Sequence, residues 1–326
     1  MNRRHALTRL AGAAAVAAVP GALLAQADKA ITIVVPYAPG GTTDMLGRML
    51  AREMEPLLGR TLVVENKPGA GSGIGAMQVA RAPADGLTLL VATSTTLAIN
   101  PSLYRKLPYD PARDFAPIGM IGAVPLVAVV HPSVPVQDIA GLVALAKARP
   151  DSLSYGSAGN GSPHHLGMEM FKAATGIALT HVSYKGSSPA VTDLLGGQIQ
   201  VMFSDIPPAL QHVRAGKLRA LAVTSTKRQP ALPEIPAIAE SGVPGTRDFR
   251  AVAWQSLVAP AGTPRELIDK YAAALQQVMS RRELRARLAS DGFEAETMGP
   301  DQLAAYIRSE AERWGQVIRT AGATVD

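Results

Sequence analysis

The chain has 326 residues, with 32 Lys and Arg against 26 Asp and Glu, a formal net charge of +6, and no cysteine. Without cysteine there are no disulfides, thiolate metal sites or thiol nucleophiles, so stability must come from packing, for which a 47% hydrophobic content is ample. There is no Lys/Arg run and no basic patch interleaved with aromatics, which argues against nucleic acid as a partner.

At the start, Arg3, Arg4 and Arg9 precede an uncharged Ala- and Val-rich stretch, and Ala25-Gln26-Ala27 offers small residues at the two positions a signal peptidase reads. This pattern predicts an export signal over residues 1–27 and a periplasmic destination; the stretch is too short and too small-sided for a spanning helix. The Arg3-Arg4 pair leaves twin-arginine export open beside the general secretory route. Removing the segment takes those three arginines with it, leaving 299 residues and a formal charge of +3.

The mature chain opens with five β-favouring residues, 31–35, followed by Pro36, Pro39 and Gly40-Gly41, and then Leu46, Met49, Leu50, Met54 and Leu57 at helical spacing. The order is strand, glycine loop, helix start, with Thr42, Thr43 or Asp44 as the cap. Unpaired amides at the positive end of a helix suit an anion, so this loop is expected either to hold a carboxylate or to be an ordinary α/β turn. Residues 62–66 form a second strand, 74–81 a short helix and 87–93 a third strand ending at Ser94-Thr95-Thr96. Such alternation predicts an α/β fold with a largely parallel sheet, whose C-terminal strand ends gather on one edge where ligands bind. Gly71-x-Gly73-x-x-Ala76 fits the loosest dinucleotide fingerprint, but no acidic residue ends the next strand, so no cofactor is expected.

Residues 101–117 look irregular, and 118–130 return to long β character, with a crossing into a second lobe near 127–131. There Asp138 caps a helix with Ile139, Leu142, Val143 and Ala146 on its apolar face. Strand 153–156 leads into Ser157-Ala158-Gly159-Asn160-Gly161-Ser162 and a helix beginning at His164-His165, a loop built like the first. Neighbouring histidines on a helix diverge and no carboxylate cluster or HExxH assists them, so no metal is expected. Ser162 lies in no G-x-S-x-G elbow, so a serine hydrolase is not expected either. Strand 180–184 ends at Tyr184-Lys185-Gly186, with Ser188 as cap and Pro189 at the first helical position; Tyr184 either meets a ligand or covers core, and Lys185 is a surface lysine or the one nearby cation. Asp205 ends strand 199–204 and either caps the next helix or accepts from a ligand amine or amide. Residues 218–224 look like the returning strand, giving one domain of 28–127 plus 225–326 around a second of 128–224. Thr263-Pro264-Arg265-Glu266 reads as a capping box, and the last helix, 300–321, carries Leu303, Ile307, Trp314 and Val317 on one face.

Five motifs in order, Val34-Val35-Pro36-Tyr37-Ala38-Pro39-Gly40-Gly41-x-x-Asp44, Val64-Glu65-Asn66-Lys67-Pro68-Gly69-Ala70-Gly71, Tyr155-Gly156-Ser157-Ala158-Gly159-x-Gly161-Ser162-x-x-His165-Leu166, Tyr184-Lys185-Gly186 and Ala259-Pro260-Ala261-Gly262-Thr263-Pro264, resemble the Bug family, the TctC-like periplasmic receptors of tripartite tricarboxylate transporters. The resemblance covers essentially the whole mature chain. It implies a two-lobed periplasmic-binding-protein fold of type II, each lobe a mostly parallel sheet flanked by helices, joined by two crossing strands. It implies a small carboxylate ligand delivered to permease subunits like TctA and TctB, no catalysis, no cofactor and a monomer. Carried over, the first loop gives Tyr37, Gly40, Gly41, Thr42 and Asp44 as ligand residues. The second gives Ser157, Ala158, Gly159, Gly161, Ser162 and His165, and matching strand ends give Ser94, Tyr184 and Asp205. The positions set to choose the ligand, such as Ala38, Thr42, Asn160 and Ser187, are small or neutral. With no arginine among the contacts, a mono- or dicarboxylate or a carboxylated aromatic is favoured over a bulky polyanion. A sensor acting on a kinase ectodomain and an exported enzyme are the competing readings.

Overall fold

A computed structural model describes residues 29–321; the expected export signal lies outside the described residues. β1 (Ile31–Val35) pairs in parallel with β2 (Leu62–Asn66) and β3 (Thr88–Thr93), and β5 (Ser154–Ser157) pairs in parallel with β6 (Thr180–Ser183) and β7 (Val201–Asp205). One strand belongs to both groups. β4 (Phe115–Val130) pairs with β9 (Val252–Pro260) through its residues 115–125 and with β7 and β8 (Arg219–Val223) through 126–130, so the two lobes share one curled ten-stranded sheet. The parallel character is narrower than expected, because β4 leaves the first lobe and β9 returns to it. Two strands crossing in opposite senses side by side must be antiparallel.

The return crossing differs from the sequence expectation. β8 stays in the second lobe, paired with Val127 to Val130, and the chain then remains there through residue 251. Leu232 and Ala237 bury against Val191 and Leu210, while Ile238, Phe249 and Ala251 bury against Phe171 and Phe203. The boundary expected at 224 is thus displaced to β9: residues 225–251 contain no strand or helix long enough to show periodicity, yet their apolar side chains fill the second lobe. Thr224 pins the crossing. Its hydroxyl accepts from Leu126 N at 3.0 Å and donates to Ala251 O, and Ala251 N donates to Thr224 O at 3.0 Å.

Each lobe has apolar layers on both sheet faces. In the first, α1 (Thr42–Leu58) and α8 (Arg265–Ser280) bury Leu50, Met54, Leu275 and Val278 against Ile33, Leu89 and Leu257. On the opposite face α10 (Pro300–Ala321) buries Leu303 and Trp314, with Ile307 and Val317 partly buried, as the spacing of that stripe predicts. Leu166 of α5 (Pro163–Thr175), a second-lobe helix, packs into this same layer, so the lobes touch away from the hinge as well.

Local signals hold in part. Asp138 accepts from Gly141 N at 2.7 Å and caps α4 (Ile139–Ala148), as expected. α6 (Ser187–Leu195) starts two residues earlier than the Ser188 cap predicts, after Gly186 at φ +138°, a conformation that needs glycine. Thr263 makes no capping box: its hydroxyl donates to Pro260 O at 2.8 Å, and α8 begins after Pro264. Beyond the end of β3 the chain forms a wide π-type turn (Thr95–Ile99) continued by α3 (Asn100–Leu103), so helix reaches into the stretch 101–117 expected to be irregular. Such turns widen a helix and often mark functional sites.

Candidate functional site

Four helices begin around one cavity between the lobes. Gly41, Thr42 and Thr43 at the start of α1, with Tyr37, Thr93, Ser94, Thr95, Ala253 and Gln255, form the first-lobe wall. The second-lobe wall is Ala158 with Ser162, Pro163 and His164 at the start of α5, Ser187 at the start of α6 and Asp205 before α7 (Ile206–Arg214). The cavity holds about 20 Å³, room for roughly one water. It is this small because the lobes are shut on each other. Ala38 N donates to Lys185 O at 3.0 Å across the cleft, and a Cβ on Gly41 would stand 3.0 Å from Ser187 Oγ.

Three hydroxyls facing this cavity, Thr42 Oγ1, Ser94 Oγ and Thr95 Oγ1, are buried and complete no hydrogen bond of ordinary geometry among the described residues, although Thr42 lies close to Asp205 and Thr95 close to Tyr37. Buried polar groups are otherwise almost always paired, so three on one wall mark a place where a polar ligand completes the bonding. Beneath them the hydroxyls satisfy one another: Tyr37 to Thr93 at 3.3 Å, Thr93 to Thr96 at 3.2 Å, and Thr96 to Ser72 at 2.9 Å. Burial pushes the Tyr37 phenol up, so it stays neutral.

On the facing wall lies a buried acid. Asp205 Oδ2 accepts from Ser187 Oγ at 3.0 Å, and Oδ1 lies 3.1 Å from His164 Nε2. Burial pushes the carboxyl up, but the attraction of His164 and the Ser187 hydrogen bond outweigh it and hold the group below the usual carboxylate range. Asp205 is therefore no ordinary cap: it precedes α7 without a side-chain capping bond and spends its oxygens on the starts of α5 and α6.

The site residues expected from the sequence separate into three sets. Tyr37, Gly41, Thr42, Ser94, Ala158, Ser162 and Asp205 come together on the cavity. Gly40 and Asp44 do not. Gly40 N donates to Asp44 Oδ2 at 3.0 Å, and the Asp44 carboxylate is further bound by Arg48 at 3.0 Å and Asn66 at 2.9 Å. Ser157, Gly161 and His165 also point elsewhere. Ser157 Oγ is 2.7 Å from His181 Nε2, and His165 Nδ1 accepts from Gly161 N at 3.1 Å while its ring stacks on His181 at 4.2 Å. Gly159 and Tyr184 line a wider hollow of about 420 Å³ at the cleft mouth, with Gly71, Tyr104, Asn160 and Lys185; it shares Tyr37 and Ala158 with the inner cavity.

One expectation changes in kind. The glycine-loop amides are largely taken by their own loops: Gly40 by Asp44, Gly159 by Ser157, Gly161 by His165, and Ser162 by Gly159 O. What faces the cavity without a hydrogen bond of ordinary geometry is side chain: the three hydroxyls and the ring of His164. Thr43, Thr93, Thr95, His164 and Gln255 were missed as cavity residues; Ser94-Thr95-Thr96 at a strand end was the available signal, and nothing local sets His164 apart from His165. Among the described residues no group of three or more His, Cys, Asp or Glu could hold a metal.

Two lobes on a shared sheet, closing over a polar pocket at converging helix starts, define a solute-binding protein of the two-lobed periplasmic type. The description tripartite tricarboxylate transporter family receptor matches residues 46–323. Protein BugT of Bordetella pertussis is 38% identical over 294 residues, covering 90% of this chain and 89% of that one. Rhodopseudomonas palustris Rpa4515 with adipate superposes with a TM-score of 0.88 at 37% identity, covering 91% of this chain and 99% of that one. The periplasmic binding protein BugD gives 0.86 at 36%, covering 91% and 98%. MatC from the same R. palustris, with bound malate, gives 0.83 at 31%, covering 89% and 99%. The chain belongs to the tripartite tricarboxylate transporter family of receptors, the TctC or Bug group.

Proposed function

We propose that the exported chain captures a small carboxylate between its lobes in the periplasm and delivers it, as a monomer, to permease subunits like TctA and TctB, without transforming it. The observation that carries the reading is the trio of unpartnered hydroxyls, Thr42, Ser94 and Thr95, beside the uncapped start of α1. First-turn N–H groups have no intrahelical acceptor, and together with hydroxyl donors they bind an anion without a fixed cation. Adipate and malate in the related structures belong to the same ligand class. A ligand gripped by both walls favours the shut form by its differential affinity for it, which is how a receptor signals occupancy to a permease.

The serine and histidine that the second loop offers are not arranged as a nucleophile with its base: Ser162 donates to Gly159 O at 2.7 Å, and His165 is turned to Gly161. Among the described residues no helix is long and apolar enough to cross a membrane. The test is thermal shift of the mature chain against a panel of mono-, di- and aromatic carboxylates. A rise in Tm with ligand concentration for some member, reduced in Thr42→Val and Ser94→Ala, is expected. No response from any carboxylate would overturn the reading.

A further inference from the structure

Asp205 is the one acid on the inner cavity, and none of the lining residues is Lys or Arg. The acid is 5% exposed, and each oxygen keeps a lone pair beyond its contact with Ser187 or His164. The two walls are therefore unlike. In the second lobe the positive ends of α5, α6 and α7 are already met by this carboxylate, which belongs to the chain itself. In the first lobe α1 has no side-chain cap, its one first-turn acid is turned away and paired with Arg48 at 3.0 Å, and three hydroxyls stand unpartnered.

A ligand carboxylate laid against Asp205 would bring two anions together in a buried space with no lining Lys or Arg, where the one histidine, His164, is already engaged by Asp205, an arrangement that excludes one charge or the other. Laid against the first-lobe wall it meets only donors. Whatever then reaches Asp205 must donate a hydrogen bond. In the shut form the two walls nearly meet, a Cβ on Gly41 standing 3.0 Å from Ser187 Oγ, so a ligand that touches both walls here does so with an acid and a donor that are close neighbours. We propose that this receptor selects carboxylates bearing a hydrogen-bond donor, an amino or hydroxyl group, on the carbon next to the carboxylate, and that Asp205 is the residue that reads it. The proposal rests on the carboxylate-receptor reading above and narrows its ligand class. A site built to bond such a group discriminates against analogues lacking it, because the buried acceptor is left unpaired.

The experiment is calorimetry on the mature wild-type chain and on Asp205→Asn, with succinate, L-malate and L-aspartate as one set and propionate, L-lactate and L-alanine as another. Within each set only the group on the second carbon changes. Wild type is expected to bind the hydroxy or amino member at least tenfold more tightly than the plain acid, and the better of the two tells whether the donor is hydroxyl or ammonium. Asp205→Asn is expected to shrink that ratio to about threefold or less while retaining binding of the plain acid. The inference is overturned, with the receptor reading intact, if plain acids bind as well as their substituted partners, if the only carboxylates bound lack such a donor, or if Asp205→Asn shifts both members of a set equally. Should Asp205→Asn not fold, the wild-type ratios decide alone. If no carboxylate binds, the receptor reading falls as well.

Discussion

Gly161→Ala separates the cost of a strained backbone from the cost of an obstructed closure. Gly161 sits at φ +73° in the second-lobe loop, and a Cβ there would stand 2.1 Å from Leu103 Cδ2 and 3.5 Å from Ile99 Cγ2, both first-lobe atoms. The left-handed backbone costs an L-residue about 1–2 kcal/mol. That cost is present with the lobes open or shut and so cancels from ligand affinity, appearing only as a lower Tm. The overlap with Leu103 exists only when the lobes close. Overpacking of this kind costs about 1–3 kcal/mol, and each 1.4 kcal/mol is tenfold, so affinity should fall about 5- to 150-fold. Replacing Leu103 by Ala clears the space the new methyl needs. Calorimetry with the strongest carboxylate of the panel should therefore show Gly161→Ala weakened and Gly161→Ala/Leu103→Ala partly restored, although the double variant is the less stable protein. Wild-type affinity in Gly161→Ala, or no recovery in the double variant, would refute the claim that this glycine is a closure contact.

Glu310 is 6% exposed and its carboxylate accepts from Trp254 Nε1 at 3.0 Å, Trp314 Nε1 at 3.2 Å and Arg313 Nε at 2.7 Å. Glu310→Ala strands two buried indole donors and should cost about 3 kcal/mol in urea unfolding, with Glu310→Gln losing less because one acceptor remains; an unchanged midpoint would contradict this. The stacked histidines make stability depend on pH. Burial, with some repulsion from His165 and Lys172 against the pull of Glu169, lowers His181 to about 4, and burial also lowers His165. The unfolded chain takes up these protons from about pH 6.5, whereas the folded protein resists doing so until lower pH. The stability lent by the neutral rings is thus complete above pH 6.5 and drains as pH falls toward 4. His181→Gln should flatten the decline of Tm across that window, and parallel curves for wild type and variant would count against the assignment.

Some of the molecule was legible in order along the chain because its causes are local. The strand-loop-helix units at residues 31–58 and 154–175, the Asp138 cap and the final helix with Leu303 and Trp314 inward all follow from propensity, glycine placement and apolar spacing within about 20 residues. The five motifs carried the family for the same reason: each is a contiguous run whose chemistry survives in any tertiary context. Residues 225–251 escaped this reading because their place in the second lobe is fixed by contacts with distant strands rather than by periodicity.

The sequence by itself determined that two glycine loops precede two helices and that no lining loop offers Lys or Arg beyond Lys185. It also placed Tyr37, Thr42, Ser94, Ser162 and Asp205 at strand or helix ends. Only the tertiary structure decided which polar groups face the cleft. Asp44, Ser157 and His165 turn back onto their own loops or neighbours, while Thr42, Thr95, His164 and Asp205 turn inward. The reason is physical: a hydroxyl or carboxylate takes whichever buried partner lies within about 3 Å. For Asp205 those partners, Ser187 and His164, are helix-start residues brought together only by folding of the second lobe, and Thr42 and Thr95 face a shared cavity only once β4 and β9 have brought the two lobes face to face.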